Sequence, residues 1–390
     1  MALRLQRTIF LTLCAATLLT MLYVSLSRDA IVVVQPGSVD VQDQLRSPNR
    51  CLTLGTHSWN YNVAYGRPGL LINPSNGSDV LRGSTTDIVN RIYNNMCHGH
   101  QTLPNVQFTF PDILLIVDFN YPSHYNVIPY LELLYRRYFP NILYCGLQPE
   151  TLKKQIVAEK LGFPIYYLHA LRDIWQTKYE CIQHAMKMCD NFTGYLLIGD
   201  DTLINMTNFE RTPKYKAMVG DEFVRIGQHV NTTQFKQLWP WWGVEGGRSA
   251  MLGVLNELAF KANRHNDHLA QEFLRNYYSF VDHSNIFYFM PIDFLYVPKR
   301  LSSIFLYMTS LFLKYKDNVE LAIPFFVCGL EHPEDVHFVR MCRVKGEDRD
   351  KSQTRFEKDL VYLHPFKYHA NFNNTPQGKD FICQNYLRSD

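Results

Sequence analysis

The sequence lacks several patterns that identify common classes of protein. It has no clustered run of lysine and arginine, and its formal net charge is only +3. A nucleic-acid-binding surface needs such a basic cluster, so we exclude this class. No C-x-x-C pair occurs, which disfavours a structural zinc site. No P-loop, G-x-S-x-G or H-E-x-x-H motif is present, so phosphotransferases and hydrolases of these kinds rank last.

Aromatic residues, in contrast, are abundant. The 390 residues include 24 Tyr and 25 Phe, which is not the composition of a disordered chain. The length allows a sizeable core or one large domain with an appendage.

The N-terminal segment predicts a membrane anchor. Residues 8–27 carry no charge and follow Arg4 and Arg7. Twenty helical residues span about 30 Å, the thickness of a bilayer core. The preceding arginines place residues 1–7 in the cytosol, as in a single-pass type II protein. The alternative is a cleaved signal peptide that ends near Ser25–Ser27. In both cases the remainder faces an oxidising lumen.

Sequons and cysteines agree with a lumenal location. Eight cysteines follow the anchor, an even number that indicates disulfides. Cys51 and Cys97 both precede the core domain, which favours a pair between them. A further sequon at Asn205 is not expected to carry a glycan, because it closely follows two adjacent acids, Asp200 and Asp201, which are candidate site residues. Glycosylation is expected at Asn76, Asn191, Asn231 and Asn373.

Regular apolar patterns begin after a polar stem and extension, residues 28–108. Buried strands are predicted at 113–117, 141–145, 165–168 and 195–198. Helices are predicted between them, one capped by Asn126, one opened by Pro149 and one spanning 175–189. This alternation predicts an α/β domain with a mostly parallel, doubly wound sheet over residues 109–390.

The second half of this domain is less regular. It is predicted to contain one helix at 253–281, strands at 286–290 and 294–297, and a helix at 301–316. We interpret residues 109–235 as a ligand-binding half and residues 236–390 as the half that faces a second substrate.

Two adjacent acids, Asp200 and Asp201, follow Gly199 at the end of the fourth strand. Ligands of α/β sheets bind beyond the carboxyl ends of the strands. Carboxylates are suitable ligands for Mg²⁺ or Mn²⁺, and such an ion neutralises a diphosphate. The alternative is an ordinary turn in which the acids bond to local backbone.

The layout of tail, anchor, stem and acids after a central strand resembles the Golgi glycosyltransferases with the GT-A fold and a D-x-D motif, without indicating one family among them. The resemblance covers about residues 110–370 and implies a nucleotide-sugar donor. The segment Tyr195–Asp201 occupies the D-x-D position. It departs from the motif because Gly199 stands in place of the first acid, so the division between ribose and metal contacts is open.

The resemblance also implies further site residues. His364 is the expected third metal ligand beside Asp200 and Asp201, with Lys367 near the diphosphate. Asp118 and Asn120 follow the first strand, where the nucleotide lies in this family. The alternatives are a surface histidine beside a proline turn, and a capping turn before the Asn126 helix.

A loop rich in tryptophan and glycine, residues 239–248, is the predicted sugar-binding segment. Sugar rings stack on indoles, glycines allow a close approach of a ligand, and an arginine binds phosphate. The alternative is core plus a turn. The residues assigned to the acceptor are Trp241, Trp242 and Glu245, and those assigned to the donor are Gly246, Gly247 and Arg248.

An inverting transfer needs a carboxylate base. Glu320 has apolar neighbours that would raise its pKa, and Asp293 precedes a predicted strand. The alternative for each is a structural carboxylate, and a retaining reaction would need no such base.

The sequence therefore predicts a glycosyltransferase that moves a sugar from a nucleotide sugar to a hydroxyl of a glycan, glycoprotein or glycolipid with Mn²⁺ or Mg²⁺. It is expected in the Golgi (or ER) membrane through its N-terminal helix, and a homodimer is compatible with the sequence. The alternative is a non-catalytic relative that assists a partner enzyme, which the incomplete acidic motif favours.

Overall fold

The computed structural model describes residues 69–72, 85–97, 108–158, 165–171, 175–188, 191–227, 240–282, 286–370 and 376–387. These residues all belong to one unit, Cys51–Asp390. The cytosolic tail, the anchor at 8–27, most of the stem, Cys51 and the sequons at Asn76, Asn231 and Asn373 lie outside the described residues. Within the described ranges, no helix combines the length and apolar character that crossing a bilayer requires.

The fold is mixed α/β. The strands are β1 (Gly69–Ile72), β2 (Ile113–Asp118), β3 (Ile142–Gly146), β4 (Ile165–His169), β5 (Gly194–Gly199), β6 (Leu203–Ile204), β7 (Met218–Gly220), β8 (Val224–Gly227), β9 (Ile286–Phe289), β10 (Phe294–Pro298), β11 (His337–Val339), β12 (Met341–Arg343) and β13 (Tyr362–His364). The helices are α1 (Thr85–Met96), α2 (Ile128–Tyr135), α3 (Pro149–Ala158), α4 (Thr177–Met188), α5 (Met206–Glu210), α6 (Arg248–Arg264), α7 (His268–Phe280), α8 (Ser302–Tyr315), α9 (Val319–Leu330) and α10 (Pro376–Asp380).

Eight strands form the central sheet in the order β1-β4-β3-β2-β5-β10-β7-β11. The block β4-β3-β2-β5 is parallel, as the sequence predicts. β10 runs antiparallel between β5 and β7, so strands from both predicted halves of the domain share this sheet. Two small sheets, β12-β13-β6 and β8-β9, complete the described strands.

The sheet is covered on both faces, which explains the continuous apolar runs of its strands. Leu114 and Ile116 of β2 face one core, whereas Leu115 and Val117 face the other. Because side chains alternate along a strand, a strand buried on both sides needs apolar residues at every position. The polar side chains that follow such strands are thereby held at the edge of a rigid sheet.

Two predicted helices differ from the structure. The turn after β2 is a 3₁₀ helix, Pro122–Val127, and α2 begins after Val127 without a side-chain cap, so Asn126 is not the predicted cap. The single helix predicted at 253–281 is two helices. Asn266 has a positive φ of 49°, and Asp267 caps α7 by accepting a bond from the Ala270 amide at 3.1 Å.

Two disulfides link distant parts of the unit. Cys97 pairs with Cys383, and Cys145 at the end of β3 pairs with Cys181 of α4. The prediction that Cys97 pairs with Cys51 is therefore wrong. The prediction relied on proximity in the sequence, whereas in the fold the C-terminal segment with Cys383 lies beside Cys97, which directly follows α1.

Asp317 is a buried carboxyl group between α8 and α9. Neither of its carboxyl oxygens has a hydrogen-bond partner within the described ranges, and burial raises the pKa of Asp317 well above its ordinary value. Its backbone oxygen accepts a bond from Tyr179 Oη at 2.6 Å. An unpaired buried polar group is a source of instability.

We expect Asp317→Val to increase the free energy of unfolding by about 1–3 kcal/mol at neutral pH. The folded state favours the protonated carboxyl, so wild-type stability falls as pH rises above the pKa of the unfolded chain, and the gain grows accordingly. Denaturant unfolding measures it, with exposed Asp350→Val as the control. A loss of stability in Asp317→Val would show that this carboxyl has a structural task.

Candidate functional site

The acids after β5 lie where three strands meet. Asp118 at the end of β2 pairs in register with Gly199 at the end of β5. On the other side β10 is antiparallel, with Phe294 opposite Ile198, so Asp293 lies opposite Gly199. The Gly199 amide donates to the Asp293 backbone oxygen at 3.1 Å. The sheet thus brings Asp118, Asp200, Asp201 and Asp293 to one edge.

The C-terminal part of the chain reaches the same edge through β13. Leu363 pairs with Leu203 of β6, which directly follows the acids. His364 is the last residue of β13. The amide of Phe366 then donates to the Asp201 backbone oxygen at 2.6 Å, which holds Lys367 beside Asp201. The structure therefore brings together Asp201, His364 and Lys367.

Five side chains form a continuous row of ion pairs, which we call the acid–histidine cluster: Lys367, Asp201, His364, Asp293 and Lys178. Lys367 Nζ lies 2.6 Å from Asp201 Oδ2, and Asp201 Oδ1 lies 3.0 Å from His364 Nε2. Asp293 Oδ2 lies 3.0 Å from His364 Nδ1, and Asp293 Oδ1 lies 2.5 Å from Lys178 Nζ. Apart from Lys367, these side chains are at most 17% exposed.

The electrostatics follow from this alternation of charges. Burial opposes a charge on His364, but the carboxylates of Asp293 and Asp201 outweigh it and raise the pKa of His364 to about 9. Burial would also raise the pKa of Asp201 and Asp293, yet His364 with Lys367 or Lys178 holds both pKa values below the usual range. By themselves, Asp201 and Asp293 are therefore carboxylates at neutral pH and His364 carries a proton, which a metal ligated by this imidazole would displace.

Asp200 faces a different partner. Its side chain is 2% exposed, and its Oδ2 lies 2.6 Å from Nδ1 of His124. Burial raises the pKa of Asp200, although the bond from His124 opposes the shift. Asp293, and not Asp200, joins Asp201 and His364 in a group whose ligand atoms lie within 4.8 Å of one another. The expected metal set of Asp200, Asp201 and His364 thus differs from the observed grouping by one acid.

Asp118 is fully buried below this edge. Thr177 Oγ1 donates to its Oδ2 at 3.3 Å. Burial raises the pKa of Asp118 to about 7, against the attraction of Lys178. A direct contact of this carboxylate with a ligand from solvent, as predicted, is blocked by its burial, whereas Asn120 lies in the partly exposed turn that follows. Asp118 is also close to Cys145 and Cys181, but these sulfurs form a disulfide and are not free to bind a metal.

The tryptophan–glycine loop packs largely on the protein itself. Trp242 is 1% exposed and contacts Phe287 in the core, so it does not offer a face to a sugar as predicted. A Cβ on Gly246 would lie 2.6 Å from the Lys316 backbone oxygen, and one on Gly247 would lie 2.4 Å from that of Trp241. These glycines therefore allow the approach of the protein's own backbone and leave no room there for a ligand.

The other residues of this loop are more accessible. Trp241 is partly buried, with its ring centroid 4.4 Å from that of Trp175. Glu245 is exposed and pairs with Lys316 at 2.9 Å, and this bond lowers the pKa of Glu245. Arg248 is the first residue of α6 and is partly exposed.

The two candidate bases have different surroundings. Both carboxylate oxygens of Asp293 are engaged by Lys178 and His364. Glu320 lies in the first turn of α9, where its backbone oxygen accepts a bond from the Met290 amide at 3.1 Å. The structure thus brings Asp293 into the acid–histidine cluster, whereas Glu320 lies at the N-terminal end of α9.

Two residues at this edge, His124 and Lys178, were not predicted from the sequence. Lys178 lies three residues after Trp175, on the helix face predicted to be buried, and a lysine on such a face is a usable signal. His124 lies in the short 3₁₀ helix Pro122–Val127, where no periodic pattern in the sequence distinguishes it.

One comparison with known proteins indicates a general class of enzyme. The family model of the STELLO glycosyltransferases matches residues 93–277, just under half of the chain. The match includes Asp118, His124, Lys178, Asp200 and Asp201. A comparison with curated proteins found no match.

A search of solved structures found a likeness to the apo structure of the WbbM bifunctional glycosyltransferase, with 8% identity and a TM-score of 0.35. The likeness covers 72% of this chain and 52% of that one, so the chain spans about half the length of that protein. Through residues 93–277 the chain is similar to the STELLO glycosyltransferases, and this match supports a glycosyltransferase as its general class.

Proposed function

We propose that the protein is a metal-dependent glycosyltransferase that moves a sugar from a nucleotide sugar to an acceptor hydroxyl. The observation that carries this proposal is the acid–histidine cluster at the carboxyl end of β5. It combines Asp201 and His364 where an α/β sheet binds ligands. The STELLO match over residues 93–277 supports the same class.

The donor set of the cluster fits a divalent cation. Carboxylate oxygens of Asp201 and Asp293 and an imidazole nitrogen of His364 lie within 4.8 Å of one another. Oxygen ligands with one imidazole suit Mn²⁺. Asp201 and His364 would hold the ion, which when bound supplies positive charge that neutralises a diphosphate.

The positions of the other predicted site residues suggest which substrate each would contact. Lys367, partly exposed beside Asp201, offers a second positive charge for a diphosphate. Asn120 and Arg248 remain candidates for donor contacts, and Trp241 and Glu245 for acceptor contacts. In an inverting reaction Glu320 is the better base, because Asp293 is held by two cations.

We further propose that residues 8–27 anchor the protein in the Golgi or ER membrane, with residues 109–235 and 236–390 as the donor and acceptor halves of a lumenal domain that is able to form a homodimer. The two disulfides support an oxidising compartment.

In that compartment we expect a glycan on Asn191 and none on Asn205. Asn191 is exposed. The side chain of Asn205 accepts a bond from the Asn208 amide at 3.3 Å and donates one to the Lys358 backbone oxygen at 3.1 Å, so it is needed as a helix cap. Glycosidase-sensitive gel mobility measures this. It should change in Asn191→Gln and stay unchanged in Asn205→Gln; a shift in the latter contradicts the argument.

The direct test of the function uses the purified protein, a panel of nucleotide sugars and Mn²⁺. Release of a nucleoside diphosphate that depends on both donor and metal is expected. The alternative, a non-catalytic protein that assists a partner enzyme, is favoured by the glycine at position 199. It predicts that donor and Mn²⁺ raise the melting temperature without turnover. Absence of both binding and release would contradict either function.

A further inference from the structure

The space beside Gly199 is filled by a carboxylate from another strand. A Cβ built on Gly199 would lie 3.0 Å from Asp293 Oδ1 and 3.3 Å from Thr202 Oγ1. The backbone explains the proximity, because Asp293 lies opposite Gly199 where β10 meets β5. An acidic side chain at position 199 and the present Asp293 side chain would therefore compete for one volume.

The Asp293 carboxylate is committed to two neighbours. One oxygen lies 3.0 Å from His364 Nδ1, and the other lies 2.5 Å from Nζ of buried Lys178. The second ring nitrogen of His364, Nε2, lies 3.0 Å from Asp201. The imidazole thus lies between two carboxylates, one on each side of the ring. Within the described residues, Nδ1 contacts Asp293 as an ion pair and not as a hydrogen bond.

This arrangement separates the roles of the two nitrogens. A metal-binding histidine uses one ring nitrogen for the metal, and its other N–H is oriented by a carboxylate or carbonyl. Since Asp201 follows the motif strand, Nε2 is the nitrogen on the metal side, and Nδ1 is the nitrogen that faces Asp293 at 3.0 Å.

We propose that Asp293 is a positioning residue that takes the place of the acid absent at position 199. It fixes His364 through Nδ1 so that Nε2 faces a divalent cation together with Asp201. Lys178 holds Asp293 in turn. This inference rests on the proposed function, and it gives Asp293 a task other than that of a base.

The experiment measures Mn²⁺ affinity of the full protein by titration with detection by electron paramagnetic resonance. We expect Asp293→Asn to lower the affinity by about 10- to 100-fold, and the exposed control Glu334→Gln to leave it unchanged. Gly199→Asp alone should also lower it, because two carboxylates then share one volume. Combining Gly199→Asp with Asp293→Gly returns an acid to the vacated space and should regain the affinity to within about tenfold of the wild type.

The outcomes separate the two claims. Unchanged Mn²⁺ affinity in folded Asp293→Asn would overturn the positioning role, even if the melting temperature fell. A folded double variant that fails to regain Mn²⁺ affinity would overturn the claim that Asp293 replaces an acid at position 199. The double variant still tests this claim if Asp293→Asn does not fold. If the wild type itself binds no Mn²⁺, the proposed function fails first.

Discussion

Replacing Asp201 with asparagine is expected to slow nucleoside diphosphate release by a factor on the order of 10² to 10³, the usual effect of losing a main electrostatic contact. Asp201 is the centre of the acid–histidine cluster, with Lys367 at 2.6 Å and His364 at 3.0 Å. Asparagine keeps the shape but removes the charge that both cations need. Initial rates at saturating Mn²⁺ and donor measure the effect.

The control separates chemistry from folding. Asp350 is exposed, and Asp350→Asn should retain the wild-type rate. Thermal unfolding of Asp201→Asn should remain cooperative, so that loss of rate is not loss of fold. A folded Asp201→Asn variant with an unchanged rate would exclude the cluster from the reaction.

Replacing Asp118 with asparagine is expected to stabilise the protein strongly at alkaline pH. Burial raises the pKa of Asp118 from 3.8 to about 7, and each pKa unit corresponds to about 1.4 kcal/mol. Keeping this group ionised in the fold therefore costs on the order of 4 kcal/mol. Asparagine retains an oxygen for the bond from Thr177 and has no charge to bury.

The sign of the pH dependence follows from proton binding. Between about pH 4 and pH 7 the folded state holds a proton that the unfolded state has lost, so wild-type stability falls as pH rises through this window. The advantage of Asp118→Asn should grow from pH 5 to pH 8, as measured by denaturant unfolding, while Asp350→Asn follows the wild type. A pH-independent difference would contradict the raised pKa.

The parallel part of the fold was predictable because its strands are apolar at every position. A run that is apolar at every position is typical of a strand in a sheet that is covered on both faces, as in Ile113–Val117 and Tyr195–Ile198. No local sequence pattern predicts that β10 lies antiparallel between β5 and β7. The order of strands in a sheet depends on the path that the chain takes between them. The break at Asn266 was missed since the apolar spacing continues on both sides of it.

The site was predictable only in part, for a related reason. Asp201 was indicated by residue type and by its position after a strand, whereas His364 and Lys367 were indicated by the resemblance to the GT-A glycosyltransferases. The position of Asp293 opposite Gly199 depends on strand register, which one sequence does not specify. The contact of Asp200 with His124 depends on how the 3₁₀ helix after β2 folds back to the end of β5. Trp242 and the glycines of its loop were misjudged because an aromatic, glycine-rich pattern fits both a sugar site and a folded core.

The two disulfides differ in when they are able to form during biosynthesis. Cys145 and Cys181 are separated by 36 residues and Cys97 and Cys383 by 286. In the oxidising lumen that we propose for this domain, the first bridge can close while translation continues, since N-terminal segments fold first. The second must wait until Cys383 has reached the same compartment. A nonsense mutation between codons 97 and 383 would therefore leave Cys97 as an unpaired thiol, a lesion that thiol-mediated retention in the proposed compartment is suited to detect.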